Sequence, residues 1–145
     1  MKATFSLLFL ILAITCTVIS QDTQYQKFII QHYQNGMAVK DCNNKMSIIN
    51  KRYNHNHCKE VNSVISTSTT NLINAVCDKA GEPYTMRDGR VLRRSLQQFR
   101  VITCTRKGGS DLPPCEYKGS DSVRNIVIDC NADKLPVHYE EGHIL

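Results

Sequence analysis

At 145 residues, with 41% hydrophobic and 21% charged side chains, the chain has length for one buried core and not for two. A net charge of +5 favours anionic partners, and seven cysteines in so short a chain argue against the reducing cytosol. No repeat, low-complexity tract or linker divides the sequence, which predicts a single domain after any leader.

Lys2 is followed by an apolar run from Phe5 to Ile14 and then by Thr15 to Ser20. This reads as a signal peptide over residues 1–20: the run is too short to span a bilayer, and Val18 and Ser20 are small enough for the positions flanking a cut. Cleavage after Ser20 would leave 125 of the 145 residues, six of the seven cysteines and a charge of +4, since Cys16 and Lys2 depart with the leader. An even cysteine count in a secreted, extracellular chain predicts disulfides, each contributing about 2–4 kcal/mol, but spacing does not choose among their pairings.

Tyr25, Phe28, Ile29 and Tyr33 recur at helical spacing, predicting a first helix over 25–33 with Gly36 as its stop. His32 falls on the inward face of that helix and Gln31 at its edge. Asp41 is a candidate N-cap for a second helix carrying Cys42, Met46 and Ile49, closed by the polar run 50–56. Val61 to Ile65 reads as a strand. Hydroxyls in 66–70 can start a third helix with Leu72, Ile73, Val76 and Cys77 on one side and Gly81 at its end. Beyond Gly81, glycines and prolines punctuate β-rich runs, and strands are predicted over 91–96, 99–105, 115–118, 125–130 and 137–139. Helices followed by hairpin-linked antiparallel strands give an α+β class.

Three residues suit proton-transfer chemistry on a phosphodiester: His32, Lys59 and His138. Imidazole alone has an ordinary pKa near neutrality, so one copy can accept a proton while another donates. A lysine can neutralise charge growing on phosphoryl oxygens. Each also has a plainer explanation. His32 fits a core histidine bonded to a carbonyl, Lys59 beside Cys58 fits a solvated lysine, and the spacing does not bring the three together.

The motifs decide between these readings. Lys27-Phe28-x-x-Gln31-His32, Cys58-Lys59-x-x-Asn62-Ser63 and Pro136-Val137-His138-Tyr139-Glu140 together resemble the pancreatic-type ribonucleases, over essentially the whole mature chain. Six cysteines rather than eight are more similar to the angiogenin and non-mammalian branches. The resemblance implies three helices on a V-shaped antiparallel sheet, with pairings Cys42–Cys104, Cys58–Cys115 and Cys77–Cys130. It implies His32 as the base that takes the ribose 2′-hydroxyl proton, His138 as the acid that protonates the departing 5′-oxygen, and Lys59 as the stabiliser of the charged state between them. The product is a 2′,3′-cyclic phosphate formed without a metal or other cofactor.

Supporting roles follow from the same resemblance. Gln31 and the backbone N–H of Tyr139 contact the scissile phosphate, Lys27 holds a neighbouring phosphate, Asn62 stands by the lysine, and Glu140 orients His138. Two positions depart from the family pattern. Ser63 stands where a threonine reads a pyrimidine; it keeps the hydroxyl and N–H but loses the methyl that restrains the rotamer. Glu140 replaces an aspartate. Glu141 adds negative charge where the angiogenin branch places a residue that can obstruct the base pocket.

Arg87, Arg90, Arg93, Arg94 and Arg100 are candidates for an RNA-backbone surface, or for a solvated basic face. His55 and His57 beside Cys58 read as exposed loop residues, because a disulfide-bonded cysteine offers no thiolate to a metal. The expected partner is single-stranded RNA cut after pyrimidines, with anionic bacterial or cell surfaces and a ribonuclease inhibitor protein as further partners of a monomer. The competing function is a cationic secreted effector, antimicrobial or angiogenin-like, in which nuclease activity is weak or dispensable.

Overall fold

The structure is a computed structural model in which residues 21–142 are described; the leader, its cut after Ser20 and His143 lie outside them. Helix α1, Gln24–His32, starts at a capping box: Thr23 Oγ1 accepts the Gln26 N–H at 3.1 Å while Gln26 Oε1 accepts the Thr23 N–H at 2.8 Å. It ends earlier than Gly36 predicts, because Tyr33 is already extended (φ −137°, ψ 130°) and bridges to Ile65. Phe28 and His32 form its buried face.

Helix α2, Cys42–Tyr53, buries Cys42, Met46, Ile49 and Asn50. Asp41 does not cap it as predicted. Its carboxylate instead accepts the Ala38 N–H at 2.9 Å and closes the 3₁₀ turn Val39–Asp41 that precedes the helix. Helix α3 is short, Thr70–Asn74, and tightens into a 3₁₀ turn at Ala75–Cys77. Ile73, Val76 and Cys77 are buried, but Leu72 is not: it is 48% exposed, so the predicted apolar side is one residue too wide.

Seven strands make two antiparallel sheets, β1-β4-β5 and β2-β3-β6-β7. They are β1 Val61–Ile65, β2 Gly81–Thr85, β3 Val91–Ser95, β4 Phe99–Arg106, β5 Tyr117–Arg124, β6 Val127–Cys130 and β7 Pro136–Tyr139. Three of them correct the sequence reading. Gly81 does not end a helix but opens β2, and any Cβ there would run into the Val76 carbonyl. β5 runs on through Gly119 and polar residues to Arg124, because β4 offers a pairing partner along the whole length. β6 starts later than predicted, since the Asn125 amide and the Ile126 N–H are held by Ser95, at 2.7 and 2.8 Å.

The core has two lobes. Phe28, Ile65, Ile73, Val76, Phe99, Val101, Ile126 and Ile128 fill one; Met37, Met46, Ile49, Val64, Ile102 and Tyr117 fill the other. Strand alternation explains the division: Ile65 and Val101 face the first lobe, while their neighbours Val64 and Ile102 face the second. Cys42–Cys104, Cys58–Cys115 and Cys77–Cys130 are the three disulfides. Helix α1 packs on both β1 and β7, and so lies across the seam between the sheets with His32 at its end.

Candidate active site

The seam opens into a cleft of about 560 Å³ lined by Lys27, Gln31, His32, Lys59, His138 and Glu141, among others. His32 is the buried member. Its Nδ1–H donates to the Ser63 carbonyl at 2.8 Å, which leaves Nε2 as the acceptor nitrogen. The ring stacks on Tyr139, with centroids 5.2 Å apart and planes 19° apart. Burial first, then the Lys59 ammonium, push the His32 pKa down to about 3, so the imidazole is neutral at pH 7.

Lys59 is placed by its backbone. Its N–H donates to Asn50 Oδ1 at 3.0 Å, its carbonyl accepts the Tyr117 hydroxyl at 2.6 Å, and the Asn50 amide donates to that hydroxyl at 3.0 Å. The neighbouring Cys58–Cys115 bridge and the Cys58 N–H to Asp111 carbonyl bond, 2.6 Å, fix the segment before it. The ammonium then reaches Asn62 Oδ1 at 2.8 Å and Gln31 Oε1 at 3.4 Å. Both acceptors are neutral, so the positive charge is oriented without being cancelled. Burial lowers the Lys59 pKa, and the Glu141 carboxylate opposes that shift. Asn62 lies behind the lysine, fully buried, and its amide ties β1 to α1 through the Gln31 carbonyl at 2.9 Å.

His138, on β7, is the exposed counterpart. Its ring is 52% exposed against 8% for His32, and its Nε2 lies 3.2 Å from Glu140 Oε2. Glu140 is itself held from outside by Arg90, 3.6 Å away in the turn that joins β2 to β3. With Nε2 engaged by Glu140, His138 Nδ1 is the ring atom left to hold a transferable proton.

Ser63 is almost fully buried and each of its polar groups has a partner within the chain. Its carbonyl takes the His32 proton, its hydroxyl meets Thr103 Oγ1 at 3.0 Å, and its N–H donates to Glu141 Oε1 at 2.7 Å. Glu141 thus occupies the donor expected to read a base. Its other oxygen is buried without a hydrogen-bond partner among the described residues, and Oε1 lies 3.9 Å from His32 Nδ1. Burial raises the pKa of the neighbouring Tyr139 phenol.

Lys27, Gln31, His32, Lys59, His138 and Tyr139 therefore share one cleft, with Asn62, Ser63 and Glu140 supporting it from behind. Sequence reasoning missed Asn50 and Tyr117, and it gave Arg90 to an RNA-backbone surface, whereas Arg90 stands behind Glu140. Only Asn50 left a signal, as an amide one residue past Ile49 on the buried side of α2. Three arginines of the candidate cluster are held by groups of the protein itself. Arg93 donates to the carbonyls of Val76, Asp78 and Gly81, Arg94 pairs with Glu82, and Arg100, on the other sheet, pairs with Asp121. His55 and His57 are exposed, and His57 lies 3.5 Å from Asp111.

A buried neutral imidazole, an ammonium held by amides and a second imidazole on a carboxylate put a base, a cation and a second proton-transfer group in one cleft. The pancreatic ribonuclease family profile matches residues 23–140. The chain belongs to that family. Within it the angiogenin-like members are its relatives: Angiogenin-3 of Mus musculus is 41% identical over 128 residues, spanning 88% of this chain and 84% of that one. Ribonuclease-like 3 of Danio rerio is 38% identical, covering 84% and 80%. Among solved structures, the X-ray structure of zebrafish RNase5 superposes with a TM-score of 0.71 at 42% identity, covering 82% of this chain and 93% of that one. The pancreatic ribonuclease fold expected from the three motifs, with its three disulfides, is the fold observed.

Proposed function

We propose that this chain is a secreted, monomeric endoribonuclease that cleaves single-stranded RNA on the 3′ side of pyrimidines by transphosphorylation. In this reading His32 Nε2 takes the proton from the ribose 2′-hydroxyl, and the 2′-oxygen attacks phosphorus. The bond from phosphorus to the 5′-oxygen breaks, and His138 Nδ1 delivers its proton to that oxygen, leaving a 2′,3′-cyclic phosphate. Lys59 and Gln31 face the phosphoryl oxygens, with the Tyr139 N–H beside them, and Lys27 takes a neighbouring phosphate. The observation that carries the reading is the opposed state of the two histidines, one buried and neutral with a free acceptor nitrogen, the other exposed on a carboxylate.

The test is cleavage of pyrimidine dinucleotides in the presence of a chelator, with the product identified as the cyclic phosphate. His32→Ala and His138→Ala should each lower kcat/KM by a factor on the order of 10²–10⁴. Retained cleavage in both variants overturns the assignment.

One observation favours a second reading. Glu141 already holds the Ser63 N–H, so a base must displace it to be read, and catalysis is restrained from within. This fits an effector, angiogenic or antimicrobial, that needs little nuclease activity and meets anionic cell surfaces or an inhibitor protein. Comparing wild type and His138→Ala in bacterial killing and endothelial growth separates the two. Effects that survive the substitution favour the effector, and effects lost with it tie the role to RNA cleavage.

A further inference from the structure

His138 is half exposed, so packing alone does not place its ring. Among the described residues Glu140 carries the only carboxylate within ion-pairing distance of it, with Oε2 3.2 Å from Nε2. Asp129 stands opposite His138 in the β6–β7 register, but its Oδ1 accepts the Cys130 N–H at 2.9 Å, where that register shifts. The backbone of Glu140 is fixed, since its N–H donates to the Val127 carbonyl at 2.9 Å. Its side chain is another matter: a glutamate has one more rotatable bond than an aspartate, and each free rotor multiplies the positions in which Oε2 can be found.

That freedom is taken up from outside the cleft. The turn between β2 and β3 is Met86-Arg87-Asp88-Gly89-Arg90. It closes on itself: the Met86 N–H donates to the Arg90 carbonyl at 2.7 Å, the Gly89 N–H donates to the Met86 carbonyl at 3.0 Å, and Gly89 supplies the positive φ, 90°, that the closure requires. Within the turn Asp88 grips Arg90 twice, Oδ1 accepting its backbone N–H at 3.0 Å and Oδ2 its Nε–H at 2.7 Å. The Arg90 N–H first, and then its guanidinium, hold the Asp88 carboxyl below the usual carboxylate range, so the grip stays charged around neutral pH. With Nε taken, the guanidinium plane is set. Its Nη2 lies 3.6 Å from Glu140 Oε2, the same atom that meets His138. Asp88, Arg90, Glu140 and His138 thus form one chain of alternating acid and base that runs from an exposed turn into the cleft.

We infer that Arg90 is a positioning residue for the proposed catalytic acid: clamped by Asp88 in the β2–β3 turn, it restrains the Glu140 carboxylate and, through it, the ring of His138. The carboxylate so held keeps Nε2 engaged and leaves Nδ1 for the transferable proton. Two other roles compete. An exposed cation can meet an RNA phosphate directly, and a turn residue can serve stability alone. The geometry disfavours the first, because two carboxylates already face the guanidinium. The inference rests on the ribonuclease reading for what the proton of His138 does, and the experiment keeps the two apart.

The test is a double-mutant cycle on a pyrimidine dinucleotide, with Arg90→Ala made in the native chain and in Glu140→Gln, whose neutral amide offers the guanidinium no charge to restrain. In the native chain Arg90→Ala should lower kcat by about two- to fivefold and leave KM unchanged, the range that an exposed ion pair can supply. In the Glu140→Gln chain it should leave kcat unchanged. Asp88→Asn, which can still accept the Arg90 N–H but has no charge, should reproduce part of the loss, and Arg90→Lys should recover part of the activity. A second measurement does not depend on cleavage: ¹⁵N NMR of the neutral imidazole reads its tautomer, and the share of His138 with its proton on Nε2 should fall in Arg90→Ala. An effect that falls on KM and on the salt slope of binding, or that persists undiminished in Glu140→Gln, overturns the inference in favour of direct RNA contact. A lower melting temperature with kcat and the tautomer ratio unchanged overturns it in favour of a structural role. Failure of wild type to cleave any RNA would instead overturn the ribonuclease reading, with the tautomer ratio still deciding whether Arg90 positions His138.

Discussion

The molecule has two basic regions, and they use their charge in opposite ways. The arginines between residues 90 and 100 are engaged by the protein's own groups: Arg93 binds three carbonyls, Arg90 meets Asp88 at 2.7 Å, Arg94 meets Glu82 at 3.3 Å and Arg100 meets Asp121 at 2.5 Å. Along the cleft, Lys59 is held by amide oxygens, and among the described residues Lys27 has no carboxylate at ion-pairing distance. The densest cationic stretch of the sequence is therefore the one least able to meet an anion. Charge offered to a ligand is what internal pairing leaves over, and pairing is a property of the fold.

Substitutions can break or sharpen that contrast. Lys59→Ala should cost most, on the order of 10²–10³ in kcat/KM on a dinucleotide, because it removes an oriented, uncancelled charge from the phosphoryl group; a loss below tenfold would mean that the ammonium does not face the substrate. Glu141→Ala should act in the opposite direction. Freeing the Ser63 N–H should raise kcat/KM on pyrimidine substrates by about tenfold, the kinetic equivalent of one charge-assisted hydrogen bond of ~1.4 kcal/mol, and unchanged kinetics would show that a base displaces Glu141 at no cost.

The acid side of the pH profile probes the same cleft. Since burial and Lys59 hold His32 well below the ordinary 6.5, the base stays unprotonated as pH falls through 6.5, and the acid limb of kcat/KM should lie below that value. In Lys59→Gln, with the largest of the neighbouring charges removed, the limb should move up towards 6.5 if any activity remains to measure. The smallest effect is expected on the arginine side. Arg100→Ala breaks an exposed ion pair and should change RNA cleavage by less than about twofold and leave the melting temperature nearly unchanged, as followed by kinetics and thermal melting. A large loss of RNA affinity would restore the arginine face as a binding surface.

How far the sequence could be read depended on whether a feature was local. Helical spacing alone put His32 with Phe28 on the buried side of α1, and the three short motifs carried the family and its disulfides. What escaped was set by partners distant in the chain. Gly81-Glu82-Pro83-Tyr84-Thr85 has little of the character of a strand, and becomes one because β3 pairs with it and Val76 leaves no room for a Cβ. The backbone of Lys59 is held by Asn50 and Tyr117, and only folding brings these three into one network. Likewise the arginines of β3 and β4 look alike in sequence, and nothing local shows that each has a carbonyl or carboxylate waiting.

Strand β1 faces both lobes of the core, with Val64 buried in one and Ile65 in the other, and it is also the strand that carries Asn62 and Ser63 just after Lys59. Both faces of this strand are buried, so the floor of the cleft is fixed by close packing on either side. Glu141 lies past the end of β7, where no strand pairing holds it. Floor and occupant are thus held unequally, the floor by two layers of core and the occupant by its side-chain bond to the Ser63 N–H, so a ligand that competes for that N–H has one contact to replace and no core to disturb.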